Sequence, residues 1–147
     1  MRTTIIFFSL FFSVAIFAAD VQPLAIGDKA PNFKLQGTDG KTYSLRDFRK
    51  ADVLVVVFTA NHCPTAQAYE DRLIQMAEDY ESKGVAFVAI SSNHPDAVRL
   101  DELGYSDLGD TFGDMKIRVK AKDYNFPYLY DGDTQEVAKA YGPMATP

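Results

Sequence analysis

"VLVVVFTANHCPTAQAYEDRL", residues 53–73, decides the fold. Its first six residues, Val53 to Phe58, are an unbroken apolar and mostly β-branched run of strand length, the pattern of a central strand buried on both faces. The second half reads as a helix. Pro64 suits a first helical turn, and Ala68, Tyr69, Leu73, Met76, Ala77 and Tyr80 recur at helical spacing with charge between them. That pattern runs to Ser82, and Gly84 then supplies a stop. Between strand and helix lies Cys63, the only cysteine in the chain.

Working outward, "VAFVAI" at 85–90 reads as a second buried strand, and "NHPDAVRLDELG" at 93–104 as a short helix with Pro95 at its start and Gly104 past its end. Another helix is expected from Thr111 to Lys122, with Met115, Ile117 and Val119 on its inner side. "FPYLYD" at 126–131 is a third strand, and Pro127 places it at a sheet edge or at a strand start. Asp133 and Glu136 form a capping-box pattern that opens a last helix, closed by Gly142. Upstream, extended segments at Phe33–Leu35 and Lys41–Ser44 flank a turn at Thr38, Asp39 and Gly40, and Ser44 with Asp47 begins a short helical turn. Alternation of this kind predicts an α/β sandwich, a parallel sheet with helices on its faces.

Composition sets the outer limits. The 147 residues are 47% hydrophobic and 24% charged, which fits one globular domain. Residues 1–20, "MRTTIIFFSLFFSVAIFAAD", have one basic residue, Arg2, then an apolar and hydroxyl run from Ile5 to Phe17, then Ala18 and Ala19. This is the pattern of a secretory signal peptide, residues 1–19, and its run is short of the ~20 residues a membrane span needs. The mature domain is then 20–147, secreted or periplasmic, with no stable membrane insertion. Removing Arg2 takes the net charge from −5 to −6, which points away from nucleic acid as a partner. No cysteine follows the apolar run as a lipid anchor, and a single cysteine makes no disulfide within the chain. Any redox role must therefore involve a small molecule or another protein.

A sulfur in this position has a physical reason to react. At a helix N-terminus it sits beside unpaired backbone N–H groups and the positive end of the helix dipole, which favour thiolate over thiol. The bland alternative is a small buried hydrophobe, a frequent fate of unpaired cysteine. His62 next to it could add positive charge, and the hydroxyls of Thr59 and Thr65 could donate to a thiolate or a bound peroxide. His62 and His94 are not at ligand spacing, so no metal or other cofactor is expected. "DGDTQE" at 131–136 has a calcium-loop look, but without Gly at the sixth and Glu at the twelfth position it reads as a turn plus helix cap.

Together, "TANHCP", the upstream "GDKAPNFKLQGTDGKTYSL" and the downstream "FPYLYDGDTQEVAKAYGPMATP" resemble the peroxiredoxin-like, or alkyl hydroperoxide reductase/thiol-specific antioxidant, branch of the thioredoxin superfamily. Three motifs in order cover essentially the whole mature chain. The resemblance implies a thioredoxin-like three-layer sandwich. It also implies Cys63 as nucleophile with His62 and Thr59 beside it, and Pro64, Thr65 and a cis-proline loop at Thr146 and Pro147 as the substrate-facing surroundings. Many members resemble "CNHCP", whereas Ala60 stands where the first cysteine would be. In thioredoxin-type exchange that first cysteine is the exposed attacker. In peroxiredoxins the reactive cysteine matches the second position and is followed by Pro and Thr, as in "CPT" here, but the Thr three residues earlier is Ala60 in this chain.

The reading that follows is an antioxidant thiol oxidoreductase of peroxiredoxin type. Cys63 would cycle from thiolate to sulfenic acid, reduced by an external thiol. Two alternatives stay open: a redox-inactive thioredoxin-like binding module, and a thiol-disulfide exchange protein acting on a disulfide substrate. Homo-oligomer formation is left open. The family continues past the cis-proline loop with two strands and a helix, so the domain is expected to be C-terminally incomplete and prone to aggregation along the strand at 53–58.

Overall fold

A computed structural model describes residues 22–98 and 108–144. In chain order these form β1 (Lys34–Gly37), β2 (Thr42–Ser44), β3 (Val53–Thr59), α1 (Pro64–Glu81), β4 (Val85–Ser91), α2 (Phe112–Lys122), β5 (Tyr128–Tyr130) and α3 (Glu136–Tyr141), with single 3-10 turns at Leu45–Phe48 and Pro95–Ala97. The expected signal peptide, most of the helix expected from Pro95 to Gly104, and Thr146 and Pro147 lie outside the described residues.

The sheet order is β2-β1-β5-β4-β3. Strands β3, β4 and β5 are parallel, in a register running from Val53↔Val85 to Thr59↔Ser91 and from Ala89↔Tyr128 to Ser91↔Tyr130. β1 joins β5 antiparallel and closes a hairpin with β2, with Leu35 opposite Tyr43. The hairpin turns where the D-G pair predicts it: Gly40 takes φ +84°, and Asp39 accepts the backbone N–H of Lys41 and the Tyr43 hydroxyl.

Alternation of side chains splits the core into two layers. Phe33, Phe58, Val88, Ile90, Leu129 and Val137 pack on the face covered by α3. Ala89, Met115 and Tyr128 pack with Phe112, Val119 and Tyr124 on the α2 face. Each fully buried Ile or Leu contributes about 1.5–3 kcal/mol. The result is the three-layer α/β sandwich of the thioredoxin-like type.

Several local expectations are corrected. Among the described strands β3 pairs with β4 alone, and it is half-buried from Leu54 to Val57 rather than buried on both faces, with Val53 53% exposed. An apolar run shows that a strand is suited to burial, but a neighbour has to be present to bury it. The strand that is flanked on both sides by β1 and β4 is β5, with Pro127 just before its first residue, so the strand-start reading of Pro127 holds and the edge reading does not. On α1 the inner residues are Ala66, Glu70 and Ala77 with Leu73 and Ile74 half-buried, while Tyr69, Met76 and Tyr80 are exposed. Periodicity alone put the apolar stripe one face away because the inner face includes a charged residue, Glu70. Ile117 likewise points outward on α2, whereas Met115 is fully buried. Finally, Asp133 does not cap α3. It accepts the Tyr130 hydroxyl, and the buried Asp131 takes the N–H groups of Val137 and Ala138 instead. The Ser44–Asp47 capping box and the Gly142 stop, at φ +64°, form as expected.

Candidate active site

Three parallel strands end on the same side of the sheet, and in open α/β sheets ligands bind beyond such carboxyl ends. Here β3 runs out into Ala60, Asn61, His62 and Cys63, β4 into Ser92 and Asn93, and β5 into Asp131 and Gly132. Residues Gly109 and Asp110, just before α2, close over the same end.

Cys63 is the N-cap of the 18-residue α1, in extended backbone (φ −70°, ψ 118°), and is half-buried. Its carbonyl accepts the N–H of Gln67 at 3.0 Å. Helix geometry leaves the N–H groups of Thr65 and Ala66 with no intrahelical acceptor, and Pro64 has none to satisfy. Cys63 therefore stands at the positive end of a long helix with part of the residue still exposed.

Around it lies a buried polar network centred on Asp110, which has no exposed surface. Its Oδ1 accepts the backbone N–H groups of Asn61 (2.7 Å) and His62 (3.3 Å). Its Oδ2 faces His62 Nδ1 at 2.6 Å and accepts Asn93 Nδ2 at 2.8 Å. Asn61 is fixed further: its Nδ2 donates to the Gly109 carbonyl, its Oδ1 accepts the Tyr128 hydroxyl, and its own carbonyl accepts Gln67 Nε2. Burial and the neighbouring acidic groups push the Tyr128 hydroxyl well above its usual titration range, so it stays a donor. The β5 turn also packs against this network: a Cβ added at Gly132 would lie 2.5 Å from the Asn93 carbonyl oxygen.

Of the residues singled out from sequence, His62, Cys63 and Pro64 sit together at the turn into α1. Thr59 is 4% exposed at the end of β3, beside Ser91 in register. Thr65 lies exposed in the first turn of α1. Asp110, Asn61, Asn93 and Gln67 escaped sequence reasoning. Asp110 is 48 residues from His62 and looks like an ordinary acid before a Thr-capped helix, so only the tertiary fold reveals it. Among the described residues no group of three or more His, Cys, Asp or Glu side chains could hold a metal ion, and no helix is long and apolar enough to cross a membrane.

Comparison with known proteins places these features in a family context. Residues 26–147 match the AhpC/TSA family model. A Mycobacterium tuberculosis protein carrying the name "Putative peroxiredoxin" is 34% identical over 121 residues, covering 81% of this chain and 64% of that protein. The thiol-disulfide oxidoreductase ResA of Bacillus thuringiensis is 25% identical over 126 residues, covering 86% of this chain and 62% of ResA. The crystal structure of a hypothetical protein from Sinorhizobium meliloti superposes with a TM-score of 0.70 at 36% identity, covering 82% of this chain and 61% of that one. The chain thus spans somewhat under two thirds of the length of these three relatives.

Proposed function

Because the chain belongs to the AhpC/TSA family, and so to the thiol-based redox proteins of the thioredoxin/peroxiredoxin superfamily, we propose that it is a monothiol oxidoreductase whose Cys63 exchanges with an external disulfide. The observation that carries this reading is a half-buried cysteine at the N-terminus of α1, preceded by an imidazole held by a buried carboxylate. In the first step Cys63 Sγ attacks one sulfur of a disulfide, the new S–S bond forms as the old one breaks, and the departing sulfur leaves as a thiol. In the second, an external thiol attacks the mixed disulfide and returns Cys63 to its reduced form. Similarity to a named thiol-disulfide oxidoreductase supports this choice.

Peroxide reduction is the second reading, supported by the "CPT" pattern and by the relative named as a peroxiredoxin. In it Cys63 Sγ attacks one peroxide oxygen, the O–O bond breaks, and sulfenic acid and an alcohol result. Exchange is placed first because four relatives carry the name thiol-disulfide oxidoreductase; Ala60 does not decide, since it replaces both the threonine of the resembling peroxiredoxins and the first cysteine of the resembling C-x-x-C site.

The two separate in one experiment. Reduced protein is mixed with hydroxyethyl disulfide, or with hydrogen peroxide plus dimedone, and Cys63 adducts are timed by mass spectrometry. A mixed disulfide forming faster than the dimedone adduct supports exchange, and the reverse order supports the peroxidase. A protein inert to both leaves only a redox-inactive binding module. Export is proposed on the N-terminal sequence alone, and N-terminal sequencing of the protein from the periplasm or medium tests it, a start just after Ala18 or Ala19 being expected.

A further inference from the structure

We propose that Asp110 is a positioning residue for Cys63: it holds the His62 ring with Nδ1–H turned inward, so that Nε2 is the atom offered to the reacting sulfurs. The part of this that concerns a leaving sulfur rests on the exchange reading above.

The N–H groups of Asn61 and His62 and the Asn93 amide all donate to Asp110, which marks it as the acceptor of this cluster, so the proton is assigned to the ring nitrogen 2.6 Å from Oδ2. Backbone N–H groups of Asn61 and His62 occupy Oδ1, and Asn93 Nδ2 shares Oδ2 with the ring, so four donors converge on two buried oxygens. The ring contact is the shortest of the four. Holding the loop alone does not require it, because the two backbone donors and the tethers on the Asn61 amide already do that. With Nδ1 committed, the other nitrogen faces away from Asp110. The His62 side chain keeps 17% of its surface exposed, at the residue that precedes the thiol. A base and the buried group that orients it are thus in place, and the proposal adds that Nε2 serves the neighbouring Cys63 Sγ as a base serves its nucleophile.

The proton balance follows. As Cys63 Sγ attacks, its proton passes to His62 Nε2, and the imidazolium so formed is stabilised by Asp110 at Nδ1–H. The departing sulfur then takes that proton. The sum is Cys63–SH plus RS–SR giving Cys63–S–SR plus RSH.

Two measurements on the full protein test the assignment. The chain has two histidines, so His94→Gln assigns the ring signals and long-range 1H–15N NMR reads the tautomer of His62 directly. Nδ1 protonated is expected, and a ring protonated on Nε2 only would overturn the proposal. The second is the rate of Cys63 alkylation by iodoacetamide at pH 7 in wild type, Asp110→Asn, His62→Gln and the double variant. Each single change is expected to slow alkylation by about tenfold or more, and the double to lie within about twofold of His62→Gln. Equal slowing by Asp110→Asn with and without His62 would show a merely structural role and overturn the proposal. If Asp110→Asn does not fold, the wild-type tautomer and the His62→Gln rate decide, a rate within about twofold of wild type being fatal. Iodoacetamide is not a disulfide. Normal results here alongside no reaction with hydroxyethyl disulfide would therefore overturn the exchange reading and leave the positioning role standing.

Discussion

Glu70 is the charge that the apolar pattern of α1 concealed, and replacing its partner gives a sharp stability test. Glu70 is 2% exposed. Arg118 of α2 grips it with two parallel bonds, Nε to Oε1 at 2.7 Å and Nη2 to Oε2 at 2.5 Å, and the Tyr124 hydroxyl adds a third to Oε1 at 2.8 Å. Lys122 stands 3.9 Å from Oε2, engaged mainly with the exposed Asp71 at 3.0 Å. Arg118→Met would leave a buried carboxylate with one hydroxyl donor and a distant ammonium. Breaking such a pair costs about 3–5 kcal/mol, and the low end applies because Lys122 can move in. At ~2.1 cal/mol/K per residue over ~120 residues, about 3 kcal/mol lowers Tm by ~12 °C. Glu70→Leu combined with Arg118→Met should recover most of the loss, to within ~1 kcal/mol of wild type, because the apolar pair needs no desolvation of charge. Urea unfolding followed by far-UV circular dichroism measures wild type, both single variants and the double variant. A cost under ~1 kcal/mol for Arg118→Met, or a double variant as weak as the summed singles, refutes the reasoning. The consequence reaches the site, because this clamp ties the helix that carries Cys63 to the helix that Asp110 precedes.

Further outcomes follow from single residues. Burial lifts the Asp131 carboxyl above its usual 3.8, against the pull of the Val137 and Ala138 N–H groups. Its folded-state value exceeds the unfolded one, so its contribution is full below 3.8 and is lost as pH rises through the folded value. Tm of wild type minus Tm of Asp131→Asn should therefore fall as pH rises from 3.8 towards neutrality, and a rising difference contradicts the burial argument. Tyr43 and Tyr130, each partly desolvated and bonded to Asp39 and Asp133, should ionise only at about 12, read by absorbance at alkaline pH against Tyr43→Phe and Tyr130→Phe. Gly142→Ala places a side chain at φ +64° and against the backbone of Gln22 and Pro23, and should cost at least ~1–2 kcal/mol in urea unfolding. Ala60→Cys should yield, on oxidation, a protein two hydrogens lighter whose two thiols return with dithiothreitol.

Elements whose signal is local were legible in the sequence. The D-G hairpin, the Ser44–Asp47 box, α1 behind Pro64 and the Gly142 stop each rest on contacts within a few residues. The strand at 53–59 was visible as a strand, but its place in the sheet was not, because sheet position depends on partners far along the chain. The same division holds at the site. Cys63 announces itself by standing between an apolar strand and a helix, whereas Asp110 and Asn93 become meaningful only when the ends of β3 and β4 meet the start of α2. Glu70 and Asp131 mislead pattern reading in one way: each is a charge placed inside, satisfied by donors that no periodicity reveals.

Ala60 brings these lines together. It is 2% exposed and Asn61 is 1% exposed, whereas Cys63 is half-buried, so the solvent-facing sulfur position in this chain is the second one. In the C-x-x-C arrangement that the sequence resembles, the first cysteine is the exposed attacker and the second resolves. Here the roles would have to be reversed, because an incoming disulfide meets the half-buried Cys63 more readily than a sulfur at position 60, where Ala60 is 2% exposed. A cysteine restored at 60 would accordingly act from below, on a mixed disulfide already formed at Cys63. It would shorten the lifetime of that adduct and leave its rate of formation unchanged. Faster adduct formation in Ala60→Cys would mean that the buried position opens to substrate, and that the tethers around Asn61 do not hold the loop as tightly as their geometry implies.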